Sequence, residues 1–336
     1  MRDRSSLGYR TDLFVRAFDG VVEDRGRHIV VRTPSNPGFW WGNFLLYPDA
    51  PDAPDAPDAP DARAAERGHE GSWLDDHARE LPDIKAKLLA WDRPDGASGA
   101  VQPFLDHGFA LDEGSILTAT SADLHRSPRY ASDVEVIELH DDAQWSGAER
   151  ALTNAFAPNR SGTRDELRDF VVRQCARYRA MQARSLGQWY GAVIDGEIAA
   201  ALGIVREREL GRFQLVGTDP KFARRGVCST LVHDAAQPAL AKRGISTFVM
   251  AADAHYHAAK VYESVGFRPT ERLIALLATP PKAERACVLG TGAASAPRRR
   301  RRPHRSSRKV QSARVPEPSS GSPSPGCAPG RTAPAR

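Results

Sequence analysis

The most constraining stretch of the chain is an apolar run that ends in a basic, glycine-containing turn: Phe213-Gln-Leu-Val-Gly-Thr-Asp-Pro220, then Lys-Phe-Ala-Arg-Arg-Gly226, then Val-Cys-Ser-Thr-Leu231. The first part has strand composition and the last part opens a helix, so the turn sits at a helix N-terminus. Amides in a first helical turn lack intrahelical acceptors and lie at the positive end of the helix dipole. Such an end binds anions, and Arg224 and Arg225 add charge that suits a pyrophosphate.

The elements around this turn follow from periodicity and punctuation. Residues 134–139 alternate as a strand and a helix spans 142–156. Thr163-Arg-Asp-Glu166 has capping-box spacing and opens a long helix through Tyr178. Strands 188–194 and 198–205 are joined by Asp195-Gly196, a two-residue hairpin signal. After strand 213–218 come a helix over 226–242, a strand over 245–252, a helix over 254–265 and a strand over 267–277. Pro238 predicts a kink in the first of these helices.

With Arg-Arg-Gly226-Val-Cys228-Ser229 and Tyr262-Glu-Ser-Val-Gly266-Phe267 in place, this order resembles the GNAT acyltransferases over residues 134–279. The resemblance implies an α+β (mixed α/β) GNAT fold that uses acetyl-CoA as co-substrate. It also implies direct attack of a primary amine, borne by a small molecule or a peptide, on the thioester. Cofactor contacts are implied at Leu215, Val216, Arg224, Arg225, Gly226, Val227, Cys228 and Ser229, with His255 where an asparagine often stands. The turn departs from the family pattern in two places. Ala223 replaces the usual Arg or Gln, and Cys228 the usual Gly or Ala.

Tyr262 is implied as the acid that protonates the departing thiolate. A phenol of pKa about 10 suits a thiolate conjugate of pKa about 8.5 or above. The glutamate that many members carry on the signature strand is missing, since no acid lies between residues 213 and 218. Glu207, Glu209 and Asp219 are the substitutes, with Glu207 taken as the base. These departures keep a second reading open, a non-catalytic acyl-CoA sensor or scaffold. Cys228, a thiol at a helix start beside two arginines, is expected to have a lowered pKa. Its role as a filler of the small-residue position outranks that of nucleophile. Asp253-x-His255-x-His257 has conceivable metal spacing at a helix start, but no metal is expected.

Residues 1–130 form a degenerate copy. Phe104-Leu-Asp-His-Gly108-Phe109 matches Tyr262 to Phe267 in its aromatic start and Gly-Phe end, and each is followed by a strand, at 116–119 and 273–277. Strands are also expected at 28–32 and 39–47, and a helix and strand between Trp73 and Trp91. The first copy has no Arg-Arg-Gly turn, so it is not expected to hold CoA. Five Pro-Asp-Ala repeats at 48–62 read as an extended, solvated insertion.

Net charge is +5, but 13 Lys/Arg against 2 acidic residues lie from Pro280 onward, which leaves the rest at −6. Residues 280–336 are Pro-, Ser- and Arg-rich and are expected to be a disordered basic tail. Without interleaved aromatics such a tail gives only nonspecific, salt-sensitive nucleic-acid contact. Met1 to Ser6 lacks the apolar core of a signal peptide, and no apolar run reaches the roughly 20 residues that span a bilayer. Together with four scattered cysteines this sets the expectation of a cytoplasmic protein with no membrane contact.

Deleting residues 281–336 removes charge and almost no apolar surface, so the melting temperature and acetyl-CoA affinity are expected to stay unchanged while retention on heparin or DNA drops. Unfolding of the truncated protein in a thermal melt would place the tail in the fold.

Overall fold

Period-two apolar segments supply eleven strands. In the computed structural model, which describes residues 6–52, 73–159, 163–255 and 258–279, they join a single mixed sheet. The first half contributes α1 (Leu7–Arg16), β1 (Val21–Asp24), β2 (Ile29–Arg32), β3 (Phe44–Tyr47), α2 (Trp73–Glu80), β4 (Lys87–Trp91), α3 (Gln102–Asp106) and β5 (Ala110–Thr120). The second contributes β6 (Glu135–Glu138), α4 (Asp142–Phe156), α5 (Arg164–Ala183), β7 (Gly187–Ile194), β8 (Glu197–Glu207), β9 (Leu210–Thr218), α6 (Val227–Arg243), β10 (Thr247–Asp253), α7 (Ala258–Glu263) and β11 (Arg268–Ala278). Most of the Pro-Asp-Ala insertion and the basic tail lie outside the described residues.

Local signals act as expected at several joints. Asp195 and Gly196 both take positive φ in the β7–β8 turn, and Thr163 and Glu166 form the reciprocal capping box of α5. Asp141 and Gln144 form a second capping box at α4 that the sequence reading passed over. α6 runs on through Pro238 as one assigned helix.

Strand order is β1-β2-β3-β4-β11-β5-β10-β9-β8-β7-β6. The halves are therefore interlocked. β11 lies between β4 and β5 of the first half, and β5 lies between β11 and β10 of the second. β5 and β11 are the strands that follow the two Gly-Phe motifs, and they pair antiparallel about a centre where Gly114 faces Leu273 and Ser115 faces Arg272. Each copy thus completes the other's sheet, and the duplication is visible as a local two-fold pairing.

α1 of the first half packs across β8, β9, β10 and β11. Its N-terminus is held by Glu271 of β11, whose carboxylate accepts from the Leu7 amide at 2.8 Å, the Gly8 amide at 3.0 Å and the Ser6 hydroxyl at 3.0 Å. A carboxylate at a helix start satisfies orphan donors and opposes the dipole. Gly8 is required there, because a Cβ would run into Leu273 and Ile116.

The first half has no open cleft at its own β3–β4 junction. β3 and β4 pair in parallel to their ends, Tyr47 opposite Trp91. Tyr47 stacks on Trp73 with ring centres 3.8 Å apart, and its hydroxyl donates to buried Asp76 at 3.0 Å. Burial alone would raise the Asp76 carboxyl, but the neighbouring His28 ring at 3.5 Å and hydrogen bonds from Arg79 and Tyr47 outweigh it and hold the group down at about 2.

Buried Asp112 on β5 has the opposite history. Its carboxyl, which accepts from Trp41 Nε1 at 3.1 Å, is pushed up to about 7 chiefly by burial, with Asp253 and Glu113 adding to the rise. An acid with a raised folded-state pKa adds stability while it stays protonated and loses it as pH rises from about 4 toward 7. Asp112→Asn keeps an acceptor for Trp41 and removes that loss. The variant is expected to melt higher than the parent at pH 8 and to show no such gain at pH 4, by thermal denaturation at the two pH values.

Candidate active site

β9 and β10 run parallel but pair over only three residues, Leu210, Gly211 and Arg212 against Thr247, Phe248 and Val249. Beyond Arg212 the two strands separate. The cause is a bulge in β9: its register with β8 shifts between Ala201/Gly217 and Gly203/Gln214, and Leu215 takes φ 47° to absorb the extra residue. A bulge bends its strand and increases the local twist. The result is a V whose closed end is at Arg212 and whose open end faces the turn into α6.

That turn is built from both sides. Asp219 caps the short helical turn at Pro220–Phe222 by accepting from the Lys221 amide at 2.9 Å, and it also accepts from Asn154 Nδ2 at 2.6 Å. Arg224 has φ 66° and Gly226 φ 79°, so left-handed residues bracket Arg225. Alternating backbone handedness of this kind curls successive amides into an anion-binding cup. Gly226 caps α6 without any side-chain hydrogen bond, and the amides from Arg224 through Ser229 have no acceptor among the described residues. Arg224 is exposed at the cup, while Arg225 pairs with Asp133 at 3.3 Å.

The segment joining the halves braces the cup. The Arg129 carbonyl lies on Gly226 where any Cβ would overlap it, and the Asp123 carbonyl lies likewise on Gly266. The Ala131 amide donates to Thr230 Oγ1 at 2.9 Å, and the Tyr130 hydroxyl to Asp234 at 2.8 Å. Glycine at 226 is thus needed for its φ and for this close approach.

The expected cofactor residues divide accordingly. Leu215, Val216 and Arg224 through Ser229 line the separating strand and the cup. His255 follows the end of β10 at the same end of the sheet, exposed and 3.7 Å from Glu113. His257, the third residue of the conceivable metal spacing, lies outside the described residues.

The expectation for Cys228 is overturned. Burial pushes its thiol up to about 11, the Thr218 hydroxyl offsetting only part of the rise, so the thiol is not held as a thiolate.

Tyr262 is buried, packs edge-on to Phe267 at 6.4 Å, and shares an apolar cluster with Val216 and Ala252 of the two separating strands. The three acids expected as bases have different fates. Asp219 is committed to its cap, and Glu209 is exposed in the β8–β9 hairpin. Glu207 lies at the closed end of the V, where buried Oε2 has no hydrogen-bond partner and stands 3.7 Å from Arg10 Nε of α1.

Three residues at the closed end escaped the sequence reading. Arg212 and Gln214 point to the face covered by α1 and α5, and the Tyr178 hydroxyl of α5 donates to Gln214 Oε1 at 3.3 Å. Alternation around Phe213 marks them only as the polar face of a strand. A surface hollow of about 400 Å³ between Lys85, Lys87, His107, Phe109, Ala278 and Thr279 lies away from the V and carries none of these features.

The fold is a mixed sheet with one splayed parallel pair and, at the start of the following helix, a run of amides without acceptors among the described residues. Residues 152–275 match the acetyltransferase (GNAT) domain, a domain whose general chemistry is acyl transfer. Two solved structures share the fold. One is a functionally unknown conserved protein from Staphylococcus epidermidis, 12% identical, with TM-score 0.57, covering 77% of this chain and 94% of that one. The other is a GCN5-related N-acetyltransferase from Kribbella flavida, 11% identical, with TM-score 0.51, covering 81% and 96%. No curated protein matches the chain significantly in sequence. Among the described residues, no helix is long and apolar enough to cross a membrane.

Gly226→Ala is expected to lower unfolding free energy by about 1–3 kcal/mol from the left-handed conformation alone. Displacement of the Arg129 carbonyl adds to this. A urea melt reads the loss, and an unchanged midpoint would mean that the interhalf segment does not brace the turn.

Proposed function

We propose that the protein is an N-acetyltransferase that binds acetyl-CoA along the splayed β9–β10 pair and transfers its acetyl group to a primary amine. The observation that carries the reading is the cup itself: six consecutive amides, Arg224 to Ser229, without acceptors among the described residues at a helix start, beside the exposed Arg224. Orphan donors at a helix N-terminus fit a pyrophosphate. The separated edges of β9 and β10 offer backbone groups to an extended pantetheine arm. The corresponding place in the first half is closed by paired strands and the Tyr47–Trp73 stack, so one cofactor per chain is expected.

Bound there, acetyl-CoA supplies an activated acyl group, its C–S bond breaking as the amine nitrogen forms the new C–N bond. An ammonium has no lone pair, so a proton must leave first, and Glu207, which pairs with Leu210 behind the closed end, accepts it through intervening water. Tyr262 supplies the proton that the leaving sulfur takes up. Cys228 fills the small-residue position of the turn and takes no covalent part, in keeping with its raised pKa. A non-catalytic acyl-CoA sensor shares the cup but needs neither proton transfer.

Tyr262→Phe keeps the ring and removes the proton donor. Turnover in a thiol-release assay is expected to fall about 10²–10⁴-fold, with the acetyl-CoA dissociation constant from calorimetry little changed. Equal turnover would leave Tyr262 a packing residue, binding without turnover toward any amine would favour the sensor, and absence of binding would end the cofactor assignment.

A further inference from the structure

At the closed end of the V lies a buried charge that the transfer chemistry does not use. Arg212 is only 3% exposed, and its Nε and Nη1 have no hydrogen-bond partner among the described residues. Its nearest carboxylate, Asp12 of α1, is 3.9 Å from Nη2 and is already engaged by Arg16, which donates to it at 2.9 and 3.3 Å. Arg16 is itself 1% exposed. The other carboxylate near Arg212, Glu271, is occupied by the N-terminus of α1. The buried Arg177 of α5 is committed to Asp19 and the Val15 carbonyl. Two buried guanidiniums therefore share one carboxylate, and Arg212 is the one left over.

Burial lowers the Arg212 pKa from its ordinary value, but a guanidinium keeps its proton in proteins, so the charge remains. A buried charge without a hydrogen-bonded partner is strongly unfavourable, so an anion that reached Arg212 would relieve a standing cost. Arg212 is the last residue of β9 that pairs with β10, so the gap between the strands opens directly beyond it. Gln214 and Tyr178 stand on the same face, and α1 of the first half forms the roof.

We propose that Arg212, roofed by Asp12 and Arg16 of α1, binds the carboxylate of the acceptor, so that the acceptor is a small primary amine carrying a carboxylate, with a free amino acid as the simplest case. This rests on the acetyltransferase reading above. It assigns the first half a task in the site of the second: α1 covers the acceptor and fixes the arginine that orients it. The amine end then points along the V toward the acyl group. The shared roof also explains why the copy without a cup keeps α1 on the second half's strands.

The test compares matched pairs that differ only in the carboxylate: alanine, lysine and glutamate against their α-amides. Binding is measured by calorimetry in the absence of acetyl-CoA, and turnover by thiol release. At least one acid is expected to bind about 10- to 100-fold tighter than its amide, the range for a charged hydrogen bond. Arg212→Gln is expected to abolish that preference while leaving acetyl-CoA affinity intact, and Arg212→Lys to restore part of it. Equal binding of acids and amides, no binding by any acid, or an unchanged preference in a folded Arg212→Gln protein would overturn the proposal. If Arg212→Gln fails to fold, the wild-type acid/amide ratio and the Arg212→Lys protein still decide. Loss of acetyl-CoA binding in the wild type would instead sink the transferase reading, while carboxylate binding could persist.

Discussion

The pairing of β5 with β11 underlies everything else in this molecule. Each strand sits between two strands of the other copy, so neither half has a complete sheet without its partner. The pairing also carries Glu271 to the start of α1, and that carboxylate satisfies two amides and a hydroxyl at once. α1 is thereby fixed across the separating strands of the second half. Closure of the site at its inner end is a consequence of the duplication.

The two copies show how one strand–turn–helix plan is opened or closed. In the second half the β9 bulge, with Leu215 in a left-handed conformation, parts the strands, and a glycine-capped helix start presents bare amides. In the first half the same two strands stay paired to their ends, and aromatic stacking with a buried Asp76 fills the region beyond them. The difference lies in one inserted strand residue and one turn.

Charge is distributed along the same division of labour. Donors without acceptors collect at the open end, at the amides of Arg224 to Ser229, and at the closed end, at Arg212. The apolar cluster around Tyr262, Phe213 and Phe267 packs α6 and α7 onto one face of the sheet. Burial there has an electrostatic effect, since it is what raises the thiol of Cys228.

Sequence alone determined what depends on neighbours along the chain. The strand–cup–helix order, the capping box at Thr163, the Asp195-Gly196 hairpin and the repeated Gly-Phe motifs are local, because dihedral preference and periodicity act over a few residues. It placed the strand, the turn and the helix start in order, yet it read the Cys228 thiol as lowered, since a helix start and two arginines are visible in sequence and burial is not. Only the tertiary structure decided that the copies exchange strands, that α1 of one half roofs the other, and that Arg212 and Asp112 are buried. The physical reason is sequence separation: Asp12 and Arg212 meet only because β11 threads between β4 and β5. Burial, which fixes the charge state and the worth of a hydrogen bond, is a property of that meeting and not of either segment.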